Sequence, residues 1–204
     1  IYDIARDKWY RGAPMPTPRS WARAVVLNGK IYVIGGVGYG YRRDVEAYDP
    51  ATNAWEKKSP LLPRERYLHA AVAYNGKIYV IGGDSWENGY QEIWDDVQEY
   101  DPVTDQWTRK APMPAPATSL DAVVVDGRIH VFGNLSERDR CWVYDIGLDR
   151  WYKISSTHTH PVDGSESFVF WRGYIFRFGG GWWGPSSDVV ESAQLSTPTE
   201  STEP

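Results

Sequence analysis

Cysteine is nearly absent from this chain: Cys141 is the only one in 204 residues. A single thiol cannot close an intrachain disulfide, so no disulfide framework holds the fold. Basic runs are missing as well. No stretch of Lys or Arg exceeds two residues and the formal net charge is −5, which leaves no electrostatic footprint for nucleic acid or an anionic membrane. No apolar run approaches the ~20 residues of a membrane span, and no signal-peptide pattern is read at the start. Phenylalanine is scarce, with 5 residues against 14 Tyr and 11 Trp. Rings with a polar handle suit half-buried strands and contact surfaces better than helices.

What the chain does contain is a phrase that returns. Lys30-Ile-Tyr-Val-Ile-Gly-Gly36 recurs as Lys77-Ile-Tyr-Val-Ile-Gly-Gly83, then degraded as Arg128-Ile-His-Val-Phe-Gly-Asn134 and Tyr174-Ile-Phe-Arg-Phe-Gly-Gly180. The first glycines stand at 35, 82, 133 and 179. A period of that size marks a repeat architecture. A second spacing runs in phase with it: Tyr2 and Trp9 are seven apart, as are Tyr48 and Trp55, Tyr100 and Trp107, and Tyr144 and Trp151. Turn residues such as Asp49-Pro-Ala-Thr-Asn53 lie between each pair. Asn28-Gly29, Asn75-Gly76, Asp126-Gly127 and Arg172-Gly173 separate apolar runs, the signal of a tight hairpin.

Each full repeat therefore reads as four antiparallel strands: 22–27, 30–34, 44–48 and 55–58 in the first; 69–74, 77–81, 96–100 and 107–110 in the second; 120–125, 128–132, 141–144 and 151–154 in the third. The last keeps three, near 166–170, 174–178 and 188–192.

Paired glycines after an apolar strand, then Tyr-Asp-Pro, then Trp seven residues past the Tyr resemble the kelch repeat. The resemblance covers about residues 1–195, with two departures: Asn134 stands in place of the second glycine of the third copy, and Ser192 where the last copy should have its Tyr. It implies an all-β fold, a kelch-type β-propeller with one four-stranded blade per copy. Blades are expected at about 19–63, 64–114, 115–156 and 157–195 plus 1–16, with a polar Ser/Thr/Pro tail or linker at 196–204. Open sheet edges are a liability, so strands at 1–4 and 7–11 are expected to complete the last blade. The alternatives are part of a larger propeller, or one closed between chains.

Turn-face spacing is constant, whereas the connection after the glycines changes length: Gly36 to Tyr48 is 12 residues, Gly83 to Tyr100 is 17 and Asn134 to Tyr144 is 10. Variation on one face of a rigid repeat marks the candidate binding face. That face carries Tyr39, Tyr41, Arg42 and Arg43 in the first loop, Trp86, Tyr90 and Trp94 in the second, Arg138 and Arg140 in the third, and Trp182 and Trp183 in the last. The links between blades add Arg19, Trp21, Arg64, Arg66 and Tyr67. The resemblance implies that arginines just after the linking prolines, as Arg19, Arg64 and Arg66 are, line the mouth of the ring. Trp, Tyr and Arg are also the residue types of binding hot spots. The repeat residues Tyr48, Trp55, Tyr100 and Trp107 are expected to pack between blades.

The expectation is a non-enzymatic module that recognises a protein or carbohydrate partner, with no cofactor, no metal and no catalytic residue. A sugar-acting enzyme of kelch type, such as a sialic-acid mutarotase, is one alternative, and a subunit self-assembling through its end strands is another. Weaker signals are His158-Thr-His160 with Asp163, a spacing that suits two metal ligands but also a solvated loop, and Cys141-Trp142, which lacks the other ligands of a kelch-like copper oxidase. His69 and His130 read as core or channel lining. An Asn134-Leu-Ser136 acceptor tripeptide and the Ser/Thr/Pro tail favour an extracellular or cell-surface location over a cytoplasmic one.

Overall fold

Two successive residues at positive φ turn each tight hairpin: Asn28 and Gly29 (50° and 75°), Asn75 and Gly76 (45° and 76°), Asp126 and Gly127 (48° and 77°), Arg172 and Gly173 (49° and 84°). Such turns match the natural twist of the flanking strands. In a computed structural model, which describes residues 1–61, 65–87, 89–134, 140–155, 167–179 and 190–194, they close the inner half of four antiparallel sheets.

The chain opens with β1 (Tyr2–Asp3) and β2 (Lys8–Trp9). The first blade is β3 (Arg23–Leu27), β4 (Lys30–Ile34), β7 (Val45–Asp49) and β8 (Ala54–Lys58), with a small ribbon of β5 (Val37–Gly38) and β6 (Gly40–Tyr41) set into its loop. The second repeats this plan: β9 (Ala70–Tyr74), β10 (Lys77–Ile81), a ribbon of β11 (Asp84–Glu87) and β12 (Tyr90–Ile93), then β13 (Val97–Asp101) and β14 (Gln106–Lys110). The third is β15 (Thr118–Val125), β16 (Arg128–Asn134), β17 (Arg140–Asp145) and β18 (Arg150–Ser155), and the fourth β19 (Ser167–Trp171), β20 (Tyr174–Phe178) and β21 (Val190–Gln194). Val25, Val72, Val123 and Phe168, one from each innermost strand, line one open hollow of about 380 Å³. The four sheets thus face one axis, which makes the fold a β-propeller.

The repeated apolar phrase has a physical reason. In β10, Ile78 and Val80 belong to the core shared with the first blade, whereas Tyr79 and Ile81 belong to the core shared with the third. A strand buried on both faces needs apolar residues at successive positions. A third core, with Phe132, Cys141 and Val143 against Phe168 and Ile175, joins the third and fourth blades.

The glycine pair serves the junction. Gly36 N–H donates to Arg66 O at 2.9 Å and Gly83 N–H to Ala117 O at 2.9 Å, each reaching the next blade. A Cβ on Gly35 would stand 2.5 Å from Arg66 O, and one on Gly82 2.7 Å from Ala117 O. The Tyr/Trp spacing builds a second junction. Asn53 Oδ1 accepts both the Tyr48 hydroxyl and the Ala13 N–H (2.7 Å each). Asp105 and Asp149 do the same for Tyr100 with Ser59 and for Tyr144 with Ala111. All three Asx residues have φ between 51° and 55°, a conformation their side-chain type tolerates.

At the end of the chain, the expected third strand of the last blade is present as β21. β1 and β2 bond only to each other among the described residues, and β20 takes β21 as its second neighbour. Residues 156–166, 180–189 and 195–204, including the tail and the His158/His160 pair, lie outside the described residues.

Candidate functional site

Two aromatic ribbons rise on the face that carries the variable loops. The first has Tyr39 at its tip, 99% exposed between Gly38 and Gly40. Tyr41 lies in β6, its side chain outside the described residues; Arg43 is exposed and Arg42 half-buried beside Asp44. The second ribbon holds Trp86 (43% exposed) and Tyr90 (79%). Both regions were expected as plain loops. Asn88-Gly89 between two ring-bearing runs is a hairpin signal that could have revealed the second.

Each ribbon grows from its blade by one bridge across the break made by the glycine pair: Ser20 with Val37, and Tyr67 with Asp84. Opposite the glycines, Trp21, Leu68 and Ser119 all adopt left-handed φ of 53–54°. Bulky residues pay for that conformation, and its recurrence shows that the repeat geometry imposes it. At Trp21 the result is an indole, 55% exposed, stacked on Tyr67 of the next blade at 5.6 Å and 29°.

The arginines expected at the ring mouth are placed otherwise. The Arg19 side chain is wholly buried: Nη2 donates to Glu46 Oε2 at 2.7 Å, and Nη1 to the carbonyls of Asp44 (2.8 Å) and Gly35 (3.1 Å). Arg66, 47 residues on, grips Asp96 with both Nη atoms, at 2.6 and 2.8 Å, and lies 5.9 Å from the Trp94 ring. Guanidinium groups so buried are held by carboxylates and carbonyls inside their blades, and Arg19 and Arg66 thereby brace the segments that carry the loops. Arg64, Arg138, Trp182 and Trp183 lie outside the described residues, and of Arg140 only the backbone is described.

Beneath the loops Arg23 reaches inward from β3. Its Nε donates to His69 O at 2.9 Å and its Nη2 to Leu120 O, joining the inner strands of three blades. His69 is fully buried, and burial, with Arg66 and Arg23 adding positive charge, holds its imidazole well below the usual range. His130 is buried and lowered to about 4, chiefly by burial and then by Arg128. Burial raises the Cys141 thiol. Among the described residues no three His, Cys, Asp or Glu side chains gather as a metal site.

Comparison with known proteins agrees with this architecture. The model of the KLHDC2/KLHL20/DRC7 Kelch-repeats domain matches residues 1–180. Kelch-like protein 34 of Homo sapiens is 30% identical over 168 residues, covering 76% of this chain and 25% of that protein. Kelch-like protein 30 of Homo sapiens is 32% identical over 189 residues, 92% of this chain and 31% of that protein. The chain spans about a quarter of the length of such relatives. Among solved structures, that of YjhT superposes with a TM-score of 0.76 at 16% identity, over 94% of this chain and 69% of its own.

Proposed function

This chain belongs to the kelch-repeat β-propeller family, and on that footing we propose that it is a non-catalytic module binding a protein partner through its ribbon-bearing face. The observation that supports the reading is the contrast between frame and ribbons. Inter-blade hydrogen bonds recur with nearly constant geometry, while Tyr39, Trp86, Tyr90 and Trp21 are exposed on that frame, Trp21 stacked over the buried Tyr67. Exposed aromatic area held on a rigid base loses little conformational freedom on binding, which favours affinity.

The test is capture from a cell extract by the chain and by its Trp21→Ala and Trp86→Ala variants, quantified by mass spectrometry. A defined set of proteins should be lost with both variants, while stability changes by less than about 1 kcal/mol. Capture that survives both substitutions would remove this face from consideration. Turnover of sialic-acid anomers, followed by NMR, would replace binding by the enzymatic alternative.

A further inference from the structure

Asp7 has a φ of 52°, within the 51–55° that Asn53, Asp105 and Asp149 adopt at the junctions of the first three blades. Its Oδ1 accepts the Tyr2 hydroxyl, as theirs accept Tyr48, Tyr100 and Tyr144. The Tyr2 and Trp9 rings lie 5.1 Å apart at 37°, against 4.8–5.2 Å and 36–42° for the three pairs inside the blades. The β1–β2 hairpin thus builds the same Tyr–Asx–Trp clamp from two short strands that bond only to each other among the described residues.

What differs is exposure and pairing. Tyr48, Tyr100 and Tyr144 are buried, and each of their clamps grips one link residue. The link N–H donates to the Asx oxygen at 2.7–3.0 Å, and the link carbonyl accepts the Trp indole N–H at 2.9 Å. At the hairpin, Tyr2 is 43% and Trp9 79% exposed. Among the described residues Asp7 Oδ1 takes no donor but Tyr2, and the Trp9 indole N–H has no acceptor. An acceptor and a donor therefore stand open in the arrangement that elsewhere grips a single peptide residue. The residues held this way share a chemistry: Ala13, Ser59 and Ala111 are small, and each precedes a proline, Pro14, Pro60 or Pro112. Proline fixes the direction of the chain after the held residue and brings no further N–H to satisfy.

We propose that the Tyr2–Asp7–Trp9 hairpin binds an extended protein segment in which a small residue precedes proline. The N–H of that residue donates to Asp7 and its carbonyl accepts from Trp9. A second copy of this chain is not the source. Its three links of this kind are held internally, and Ser155, four residues past Trp151 as the links are past theirs, is followed by Ser156. Because the clamp already has the geometry of its filled counterparts, binding orders little of it. The inference goes beyond the ribbon-bearing face and uses none of its residues.

A synthetic peptide with the sequence of residues 108–116, Thr-Arg-Lys-Ala-Pro-Met-Pro-Ala-Pro, titrated into the intact chain and followed by the indole N–H signals in NMR, tests it. The signal that Trp9→Phe removes should move as peptide is added. Affinity should fall about tenfold when the first alanine of the peptide is N-methylated, and by a similar factor with Asp7→Gly, which permits the same φ and deletes the acceptor. Asp7→Asn should bind as the unaltered chain does, since Asn53 fills this role in the first blade. Binding indifferent to N-methylation, Trp9→Phe and Asp7→Gly, or a Trp9 signal that stays in place, would overturn the proposal. So would self-association in light scattering that Asp7→Gly abolishes, which would assign the clamp to a second copy. Capture that depends on Trp21 and Trp86 should survive these variants, so the two readings fail separately.

Discussion

The Trp55 indole N–H donates to the carbonyl of Ala13, 42 residues earlier, at 2.9 Å, and Trp107 and Trp151 repeat the bond to Ser59 and Ala111 at the same length. The residue whose carbonyl each Trp takes is the one whose N–H the neighbouring Asx takes. One link residue is thus held at both ends of its own peptide backbone. This explains why Tyr, Asx and Trp recur at fixed spacing although the loops opposite them vary.

Trp107→Phe keeps the ring and removes only the donor to Ser59 O. The expected loss is about 1 kcal/mol, read as a lower urea midpoint at an unchanged slope. A loss near zero would show that the indole serves packing alone.

Arg66→Ala strips Asp96 of its bidentate partner. Leaving a largely buried charge uncompensated costs about 3–5 kcal/mol, enough to unfold much of the population at physiological temperature. Arg43→Ala, on an exposed side chain, should stay within about 0.5 kcal/mol. Equal midpoints in thermal denaturation would contradict the contrast.

Gly29 and Gly35 both have positive φ, at 75° and 60°, yet only Gly35 faces a neighbouring blade. Gly29→Ala should cost about 1 kcal/mol from backbone conformation alone. Gly35→Ala adds an overlap with Arg66 O and should cost about 3 kcal/mol or more. The difference between the two variants, measured by denaturant unfolding, isolates the close approach.

Acid should weaken the fold through His130. Its folded pKa of about 4 lies below the unfolded value of 6.5, so its contribution is fully present above 6.5 and is lost as pH falls toward 4. The size is up to about 3 kcal/mol. Raised carboxyls at Asp84 and Asp121 act in the opposite sense. Comparing His130→Gln with the unaltered chain between pH 7.5 and about 4 separates the terms; parallel stability curves would exclude the histidine.

The hairpins and the four copies were legible because each rests on a local rule, two turn residues at positive φ or an apolar run buried on both sides; the common axis came from the resemblance to the kelch repeat. What Arg19 and Arg66 do was not. Their carboxylate partners Glu46 and Asp96 lie 27 and 30 residues away, and nothing next to an arginine tells whether it points out of a ring or back into its sheet. The left-handed turn at Trp21 was hidden for a related reason. A bulky residue accepts it only because pairing resumes on both sides, at Ser20 with Val37, and that is a property of the assembled blade.

Arg23 has a consequence beyond its own bonds. Most cohesion in the molecule is between adjacent blades, which would let an arc of sheets fan open or tighten like the ribs of a parachute. By holding Leu120 as well as His69, one guanidinium tethers the first rib to the third. Its span thereby limits how far the first three sheets can splay.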